Sequence, residues 1–188
     1  MSCHFNNPSL KNKPRKPPRL PASSGVTLVE LMVCISLLAV LVGLAAPSFS
    51  GLQSDWRRDS AIRDFMGDLQ LARSTALRTS RAVVMCVTTN GVGCELGATS
   101  DDWRQGWVVF SDLDGDNTRN NNEPLIVQRG PLIGLQQMQS NVAPGRIALR
   151  SNGMLNSGNA TVTVLPNGSD VQAAVGILIN ATGRAYLR

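Results

Sequence analysis

Histidine and lysine are almost absent from this chain of 188 residues. The only histidine is His4, and all three lysines, Lys11, Lys13 and Lys16, lie in the same N-terminal stretch of 25 residues. Without that stretch the chain has neither residue type, which excludes His-based triads, Cys/His metal sites and Schiff-base chemistry. Most classes of enzyme are therefore disfavoured, and the sequence predicts a protein that is not an enzyme.

Acidic residues are missing from the first 25 positions, where the excess positive charge is concentrated. The formal net charge is +5, from 18 Lys+Arg and 13 Asp+Glu. Five positive side chains precede Gly25, so 18 minus 5 leaves 13 arginines against 13 acids in residues 26–188. The basic pI of about 9.5 therefore reports a polar, proline-rich leader and does not predict a broad basic surface in the remainder.

Charged residues are also scarce in the segment that follows the leader. Glu30 is the only one between positions 26 and 54. At a rise of ~1.5 Å per residue, a helix over residues 26–46 crosses a ~30 Å hydrocarbon core, which predicts one membrane span. The basic leader predicts a cytoplasmic N-terminus and a translocated C-terminal part. The alternative is a cleavable secretion signal, which an acid inside the apolar run fits poorly.

Glu30 is an unusual residue for an apolar helix. An acid at that depth costs about 2.5–3.5 kcal/mol on insertion scales, so we expect it to be protonated, displaced to the interface or paired with a cation. No cation lies nearby within the segment. Cleavage after Gly25 would create a new amine at Val26, and that amine on a neighbouring subunit could neutralise Glu30. The alternative is an ordinary anchor that carries an accidental acid.

The residues around this site, GVTLVELMV at 25–33, resemble the class III signal of type IV pilins and type II secretion pseudopilins. The resemblance implies that a membrane peptidase cuts after Gly25 and methylates Val26, where the family usually has Phe or Met. It also implies that Glu30 guides docking into a growing filament. Residues 68–86, DLQLARSTALRTSRAVVMC, and 106–116, GWVVFSDLDGD, are similar to the FimT and GspH branch of the family.

The resemblance implies an α+β, pilin-like fold, in which a long helix packs on a C-terminal antiparallel β-rich head. The domain organisation expected is a leader at 1–25, a helix at 26–80 and a periplasmic head at 81–188. The helix would have a transmembrane half and an amphipathic half.

The residue pattern after Pro47 supports the amphipathic half independently. Apolar residues at spacings of 3, 4, 3 and 4 predict a buried helix face made of Ile62, Phe65, Leu69, Ala72 and Ala76. We interpret Leu52 and Trp56 as extending this face toward the membrane. The mixed charges between Asp55 and Arg73, which include Asp68, predict a solvated face.

Short runs rich in Val, Ile and Leu follow residue 81, punctuated by Gly, Asn and Pro. They predict antiparallel strands without intervening helices. The runs lie at 82–88, 106–112, 124–130, 146–151, 160–166 and 171–180.

Cysteines are few, and two of the four, Cys3 and Cys34, lie in the leader and the apolar segment. Cys86 and Cys94 flank a loop with an Asn-Gly turn signal at 90–91, so their sulfurs could meet across its neck. We predict a disulfide, which agrees with a translocated head. The alternative is a pair of free thiols, and two cysteines without histidine make a poor zinc site.

An acidic loop is the most metal-like feature of the head. Asp112, Asp114 and Asp116 fall at positions 1, 3 and 5 of a calcium-type loop, with Glu123 at position 12. The flanks are strands rather than helices, and Asn117 replaces the glycine at position 6, although Asn tolerates left-handed backbone. The pattern indicates a candidate calcium site, and the alternative is a solvated, turn-rich loop.

The C-terminal residues 181–188, ATGRAYLR, suggest a contact with nucleic acid. Some FimT-like minor pilins resemble one another in a C-terminal GRxR element that binds DNA during natural transformation. Gly183 and Arg184 match that element, but Tyr186 occupies the second arginine position. Candidate DNA-binding residues are Arg184, Tyr186 and Arg188, with Arg146 and Arg150 as further contributors. The alternative is a last strand with exposed arginines at its end.

These observations together predict a structural subunit that helps to initiate or assemble a type IV pilus or a type II secretion pseudopilus. The partners implied by the resemblance are other pilins or pseudopilins, the prepilin peptidase and the inner-membrane assembly platform. The location implied is the bacterial inner membrane as a single-pass protein, and then the filament. A DNA-binding minor pilin is the alternative function, and an anchored hydrolase is disfavoured because no catalytic constellation is evident.

Overall fold

The computed structural model describes residues 25–95, 101–142 and 145–188, without the side chains of residues 44–50. Residues 1–24 of the predicted leader lie outside the described residues. The chain falls into two compact units, one up to Leu44 and one from Ala45 to Arg188. The division falls within the long helix, so the later part of that helix belongs to the same unit as the head.

Helix α1 spans Leu28–Thr79. Its second part packs on the head through the five apolar residues that the spacing predicted, because Ile62, Phe65, Leu69, Ala72 and Ala76 are all buried. The helix ends before Ser80, whose positive φ of 53° turns the chain into the first strand. The predicted buried face is therefore confirmed.

Leu52 and Trp56 do not extend that face, and this interpretation was wrong. Both side chains are 67 % exposed. Leu52 precedes Phe65 by thirteen residues, and at about 3.6 residues per turn this offset places the two side chains on nearly opposite sides of the helix. The apolar character of these residues is therefore not explained by the core of the head.

Eight strands follow within the described residues, and they form two four-stranded sheets. The strands are β1 Ala82–Val87, β2 Trp107–Asp112, β3 Leu125–Arg129, β4 Leu135–Ser140, β5 Arg146–Leu149, β6 Ala160–Pro166, β7 Val175–Ile179 and β8 Ala185–Leu187. The strand orders are β3-β2-β1-β5 and β4-β6-β7-β8. The pairs are antiparallel, with β1 aligned on β2 from Ala82 opposite Asp112 to Val87 opposite Trp107.

All six predicted runs contain a strand, and the α+β fold class is confirmed. The run at 171–180 differs in part, because it opens with a short 3₁₀ helix, Val171–Ala173, before β7 begins. The run prediction missed β4, LQQMQS, in which only Leu135 and Met138 are buried. A β-bulge between Leu135 and Gln137 breaks the two-residue alternation that reveals a half-buried strand.

The main core connects α1 with both sheets. Phe65 on α1 makes edge-on contacts with two buried tryptophans, with ring centroids 5.0 Å from Trp103 and 5.6 Å from Trp107. Strand β1 is buried on both faces: Val83, Met85 and Val87 belong to this core, and the intervening residues face a second, smaller one. A strand buried on both sides reads as a continuous apolar run, as AVVMCV does.

No helix among the described residues has both the length and the apolar character needed to cross a bilayer. The predicted span at 26–46 ends among residues whose side chains lie outside the described set.

Candidate functional site

The N-terminal candidate residues lie at the start of α1. Gly25 and Val26 precede the helix and are exposed. Thr27 caps it, because its hydroxyl oxygen accepts the N–H of Glu30 at 3.3 Å and its carbonyl accepts the N–H of Leu31 at 3.1 Å. Glu30 therefore lies in the first turn, where the helix dipole favours a negative charge. No basic side chain in the described ranges forms an ion pair with Glu30.

The predicted disulfide is confirmed, since the sulfurs of Cys86 and Cys94 are bonded. Cys86 is on β1, and Cys94 lies in the loop that follows. The turn between them has Gly91 at a positive φ of 72°, and the side-chain oxygen of Asn90 accepts the N–H groups of Val92 and Gly93 at 2.8 and 3.1 Å. Asn90 thus closes the loop in the way its turn signal predicted.

The disulfide loop helps to form the smaller core on the outer face of the first sheet. That core contains Val84, Cys86, Val108 and Phe110, with Cys94 packed against it. The loop is also joined to the acidic loop, because the guanidinium of Arg119 donates to the carbonyl of Val92 at 2.7 Å. The acidic and disulfide loops are therefore one connected structure.

Three carboxylates of the acidic loop lie close together. Asp112, Asp114 and Asp116 each place an oxygen within 4.8 Å of the others. Asp112 is buried and accepts the N–H groups of Gly115 and Asn117 at 2.8 and 3.2 Å. Burial raises the pKa of Asp112, although these hydrogen bonds act in the opposite direction. Asn117 has a positive φ of 58°, as the left-handed position of the loop requires.

Glu123 has a different role from the three aspartates. Its carboxylate is buried and accepts the N–H of Leu113 at 2.6 Å and the N–H of Asn120 at 2.8 Å. It is not among the carboxylates that converge at Asp112, Asp114 and Asp116. Glu123 therefore closes the loop by holding its backbone at both ends.

Calcium binding by this loop stays a prediction, with three carboxylates as its donor set. We expect calcium to release heat on titration into the chain in mild detergent and to raise the melting temperature. Asp114→Asn should weaken both effects, whereas Asp170→Asn, at an exposed acid between β6 and β7, should not. A titration without heat and without a thermal shift would remove the calcium hypothesis.

The C-terminal candidate residues lie on one side of edge strand β8. Arg184, Tyr186 and Arg188 alternate with Ala185 and Leu187, so the three share a face. All three are exposed. The turn before β8 requires Gly183, which has a positive φ of 75° and whose Cβ would collide with the carbonyl oxygen of Gly153.

The other candidate arginines belong to the opposite sheet. Arg146 begins β5, and Arg150 follows that strand and donates two hydrogen bonds, at 3.0 and 2.8 Å, to the side-chain oxygen of Asn156. Sequence reasoning missed Arg73, which lies beside the turn that leads into β8. A Cβ on Gly183 would lie 3.1 Å from Cδ of Arg73.

A buried polar cluster joins α1 to β2 and β3, and sequence reasoning missed it. Asp68 is 5 % exposed, which contradicts its prediction as a solvated charge. Its carboxylate accepts Nε1 of Trp107 at 2.9 Å and both Nε and Nη2 of Arg129, at 2.8 and 3.0 Å. The hydrogen bonds with Asp68 raise the pKa of Arg129. The sequence did carry a signal for this burial. Asp68 follows Phe65 by three residues and precedes Ala72 by four, so it lies beside the buried face of the helix.

Comparisons with known proteins agree with this architecture. Residues 61–183 match the family described as type II transport protein GspH, and residues 20–46 match the prokaryotic N-terminal methylation motif. No curated protein sequence matches the chain.

Solved structures of similar fold include minor pilins and pseudopilins. A structure of the type IV minor pilin FimU of Pseudomonas aeruginosa is 19 % identical, with a TM-score of 0.54, and the match covers 69 % of this chain and 87 % of that one. The minor pseudopilin EpsH of Vibrio cholerae is 12 % identical, with a TM-score of 0.49 and coverage of 70 % and 96 %. The family match extends over 123 of the 188 residues, so the chain belongs to the GspH family of minor pilins and pseudopilins.

Proposed function

We propose that this chain is a structural minor subunit that helps to initiate or assemble a type IV pilus or a type II secretion pseudopilus, and that it is not an enzyme. The observation that supports this role most directly is the environment of Glu30. It lies in the first turn of a helix whose neighbouring side chains are apolar, and no described residue pairs with it. Once the leader has been removed, we expect the partner for its charge to come from another molecule.

The new N-terminus supplies such a partner. The prepilin peptidase would cut after Gly25 and methylate the amine of Val26, which lies before the cap residue Thr27. That amine on one subunit and Glu30 on the next form an ion pair in an apolar surrounding, where Coulombic attraction is stronger than in water. The chain would be held in the inner membrane with a periplasmic head until the assembly platform and its ATPase extract it.

Cohesion of the filament would come from the apolar part of α1. Side chains such as Leu31, Val33 and Leu38 are more than half exposed in the isolated chain. In water this surface would be strongly unfavourable, so it requires either lipid or the helices of neighbouring subunits. Substituting Glu30 and measuring recovery of the subunit in filaments tests the pairing mechanism directly.

A second candidate function is DNA binding through β8. The observation that favours it is the placement of Arg184, Tyr186 and Arg188 on one exposed face of an edge strand, with Arg73 close to the preceding turn. Arginines can contact phosphates while a tyrosine ring stacks on a base of single-stranded DNA. Residues 26–188 carry equal numbers of positive and negative side chains, so no broad positive surface strengthens DNA binding by these residues. DNA binding is therefore the second candidate function.

A gel-shift experiment at low salt tests this second function. We expect the double variant Arg184→Ala/Arg188→Ala to lose most binding and to flatten the dependence of log affinity on log salt by about 2, one unit for each phosphate contact. The matched control is Arg78→Ala/Arg81→Ala, which removes two exposed arginines from the end of α1 and the residue before β1. No retardation by the unmodified chain, or equal losses in both double variants, would eliminate the DNA hypothesis.

A further inference from the structure

The disulfide loop, residues 86–94, touches the acidic loop, residues 112–123, at two points. The guanidinium of Arg119 in the acidic loop donates to the carbonyl of Val92, and the sulfur of Cys94 lies 3.9 Å from a carbonyl oxygen of the acidic loop. Val92 is two residues from Cys94, so both contacts lie beside the disulfide itself. The position of the acidic loop therefore depends on where the disulfide loop is held.

Two arginines beside these loops have guanidinium groups that are only partly satisfied. Nε of Arg119 and both Nε and Nη2 of Arg146 are buried, and they have no hydrogen-bond acceptor in the described part of the chain. Arg146 lies opposite Cys86 in the β1–β5 pair, so both side chains are on the outer face of the first sheet. A buried donor without an acceptor is unfavourable, and more so on a charged group. Water that reached this face would therefore stabilise the two arginines.

The acidic loop is also closed by hydrogen bonds of its own. The carboxylates of Asp112 and Glu123 accept backbone N–H groups within the loop, and these bonds fix the turn. They do not attach the turn to the disulfide loop, whereas Arg119 does. Breaking the disulfide could therefore free the disulfide loop alone or both loops together. The unsatisfied N–H groups of Arg119 and Arg146 favour the release of both, because opening of both loops lets water reach both guanidinium groups.

We propose that the disulfide between Cys86 and Cys94 is a redox latch. It holds both loops on the outer face of the first sheet, and its reduction frees both loops while the main core stays folded. The core residues of β1, which are Val83, Met85 and Val87, lie on the opposite face of the strand from the disulfide, so their packing does not involve the bond. The inference concerns the head alone and does not depend on the proposed function.

The latch is opened by a dithiol such as dithiothreitol. One thiolate of the dithiol attacks the sulfur of Cys94, which is partly exposed, whereas Cys86 is 1 % exposed. The bond between the two cysteine sulfurs breaks, and Cys86 leaves and takes up a proton. The second thiolate then attacks the dithiol sulfur that is bonded to Cys94 and releases Cys94 as a thiol. The dithiol ends as a cyclic disulfide, and its two electrons and two protons are on the two cysteines.

Hydrogen–deuterium exchange of the full chain in mild detergent, measured by mass spectrometry, tests the latch. We expect reduction to accelerate exchange in residues 113–122 by about tenfold or more, together with residues 87–95, because the backbone hydrogen bonds of both loops open locally. Strands β6 and β7 of the second sheet should keep their exchange rates, which reports that the head stays folded. Cys86→Ala/Cys94→Ala should exchange like the reduced chain without any reductant, and the dithiol should have no further effect on this variant.

Arg119→Ala tests the contact between the loops separately from the disulfide. In the oxidised chain it removes the hydrogen bond to Val92, so it should accelerate exchange in residues 113–122 by about threefold or more and leave residues 87–95 unchanged. The matched control is Arg184→Ala, which removes an exposed arginine beside the second sheet. This control should change the exchange of neither loop.

Three results would overturn the proposal. Unchanged exchange in residues 113–122 of the reduced chain and of the double cysteine variant would show that Asp112 and Glu123 hold the acidic loop without the disulfide. Faster exchange in β6 and β7 as well would show that the disulfide supports the whole head and is not a local latch. Equal exchange in Arg119→Ala and Arg184→Ala would show that Arg119 does not join the two loops.

Discussion

Glu30→Ala should abolish incorporation of the chain into filaments while leaving it in the membrane. Removing one partner of a buried ion pair costs about 3–5 kcal/mol, which corresponds to a loss of docking of about 100-fold or more. The substitution also removes an acid from an apolar segment, so insertion into the membrane should be retained or improved. The measurement is the ratio of subunit in sheared filaments to subunit in the membrane fraction of the same cells.

Two further variants separate ion pairing from helix capping. Glu30→Gln keeps the size and hydrogen-bonding capacity of the side chain but not its charge, and should fail like Glu30→Ala. Thr27→Ala removes the hydroxyl that accepts the N–H of Glu30 at 3.3 Å, costs only about 1 kcal/mol of helix stability and should leave incorporation largely intact. Normal incorporation of Glu30→Gln would contradict the pairing mechanism, because the amine would then have no counter-charge.

Asp68→Ala should destabilise the head by about 2–4 kcal/mol. It leaves Nε1 of the buried Trp107 without its acceptor, which alone costs about 1–3 kcal/mol, and it removes the bidentate partner of Arg129. The loss is limited because Arg129 is 42 % exposed and can turn toward water. Urea unfolding of the chain in mild detergent measures this loss of free energy. In thermal unfolding the melting temperature should fall by roughly 6–12 °C.

Asp64→Ala provides the matched control for Asp68. Asp64 lies one turn earlier on α1, and its carboxylate is 3.9 Å from Nη1 of the same Arg129, but it is 42 % exposed. An exposed pair of this kind contributes about 0–1 kcal/mol. Comparable destabilisation by the two substitutions would show that burial and the Trp107 contact do not set the strength of the cluster. Partial recovery of stability in Asp68→Ala/Trp107→Phe would identify the orphaned indole N–H as the cause.

The contrast between Asp64 and Asp68 shows that the pattern of charges along a helix does not tell which acid is buried. Both were predicted as solvated charges on an amphipathic helix, and only the first is. The apolar spacing of Phe65, Leu69 and Ala72 gives the direction of the buried face and brings Asp68 to its edge. Its burial depends on Trp107 and Arg129, which are 39 and 61 residues away. No local pattern predicts partners at that distance.

Strands at the sheet edges were also hard to predict from the sequence. β4 was missed because its glutamines and its bulge hide the alternation of buried residues. β8 has three residues and is held mainly by its pairing with β7, which places Tyr186 opposite Leu178. Short strands at a sheet edge derive their conformation from the neighbouring strand and little from their own composition. The central strands β1 and β2 were predicted correctly because burial on both faces requires apolar residues throughout.

Histidine and lysine are confined to the N-terminal leader, and charge is scarce in the segment that follows it. The sequence alone determined the basic leader, the apolar segment with Glu30, the buried helix face, the strand-rich head and the disulfide, because each depends on local composition or short spacing. The tertiary structure alone decided that Asp68 is a buried acceptor, that Glu123 closes its own loop and that Leu52 and Trp56 are left exposed. These outcomes depend on which distant backbone groups and side chains meet, and long-range contact is set by the packing of the whole fold.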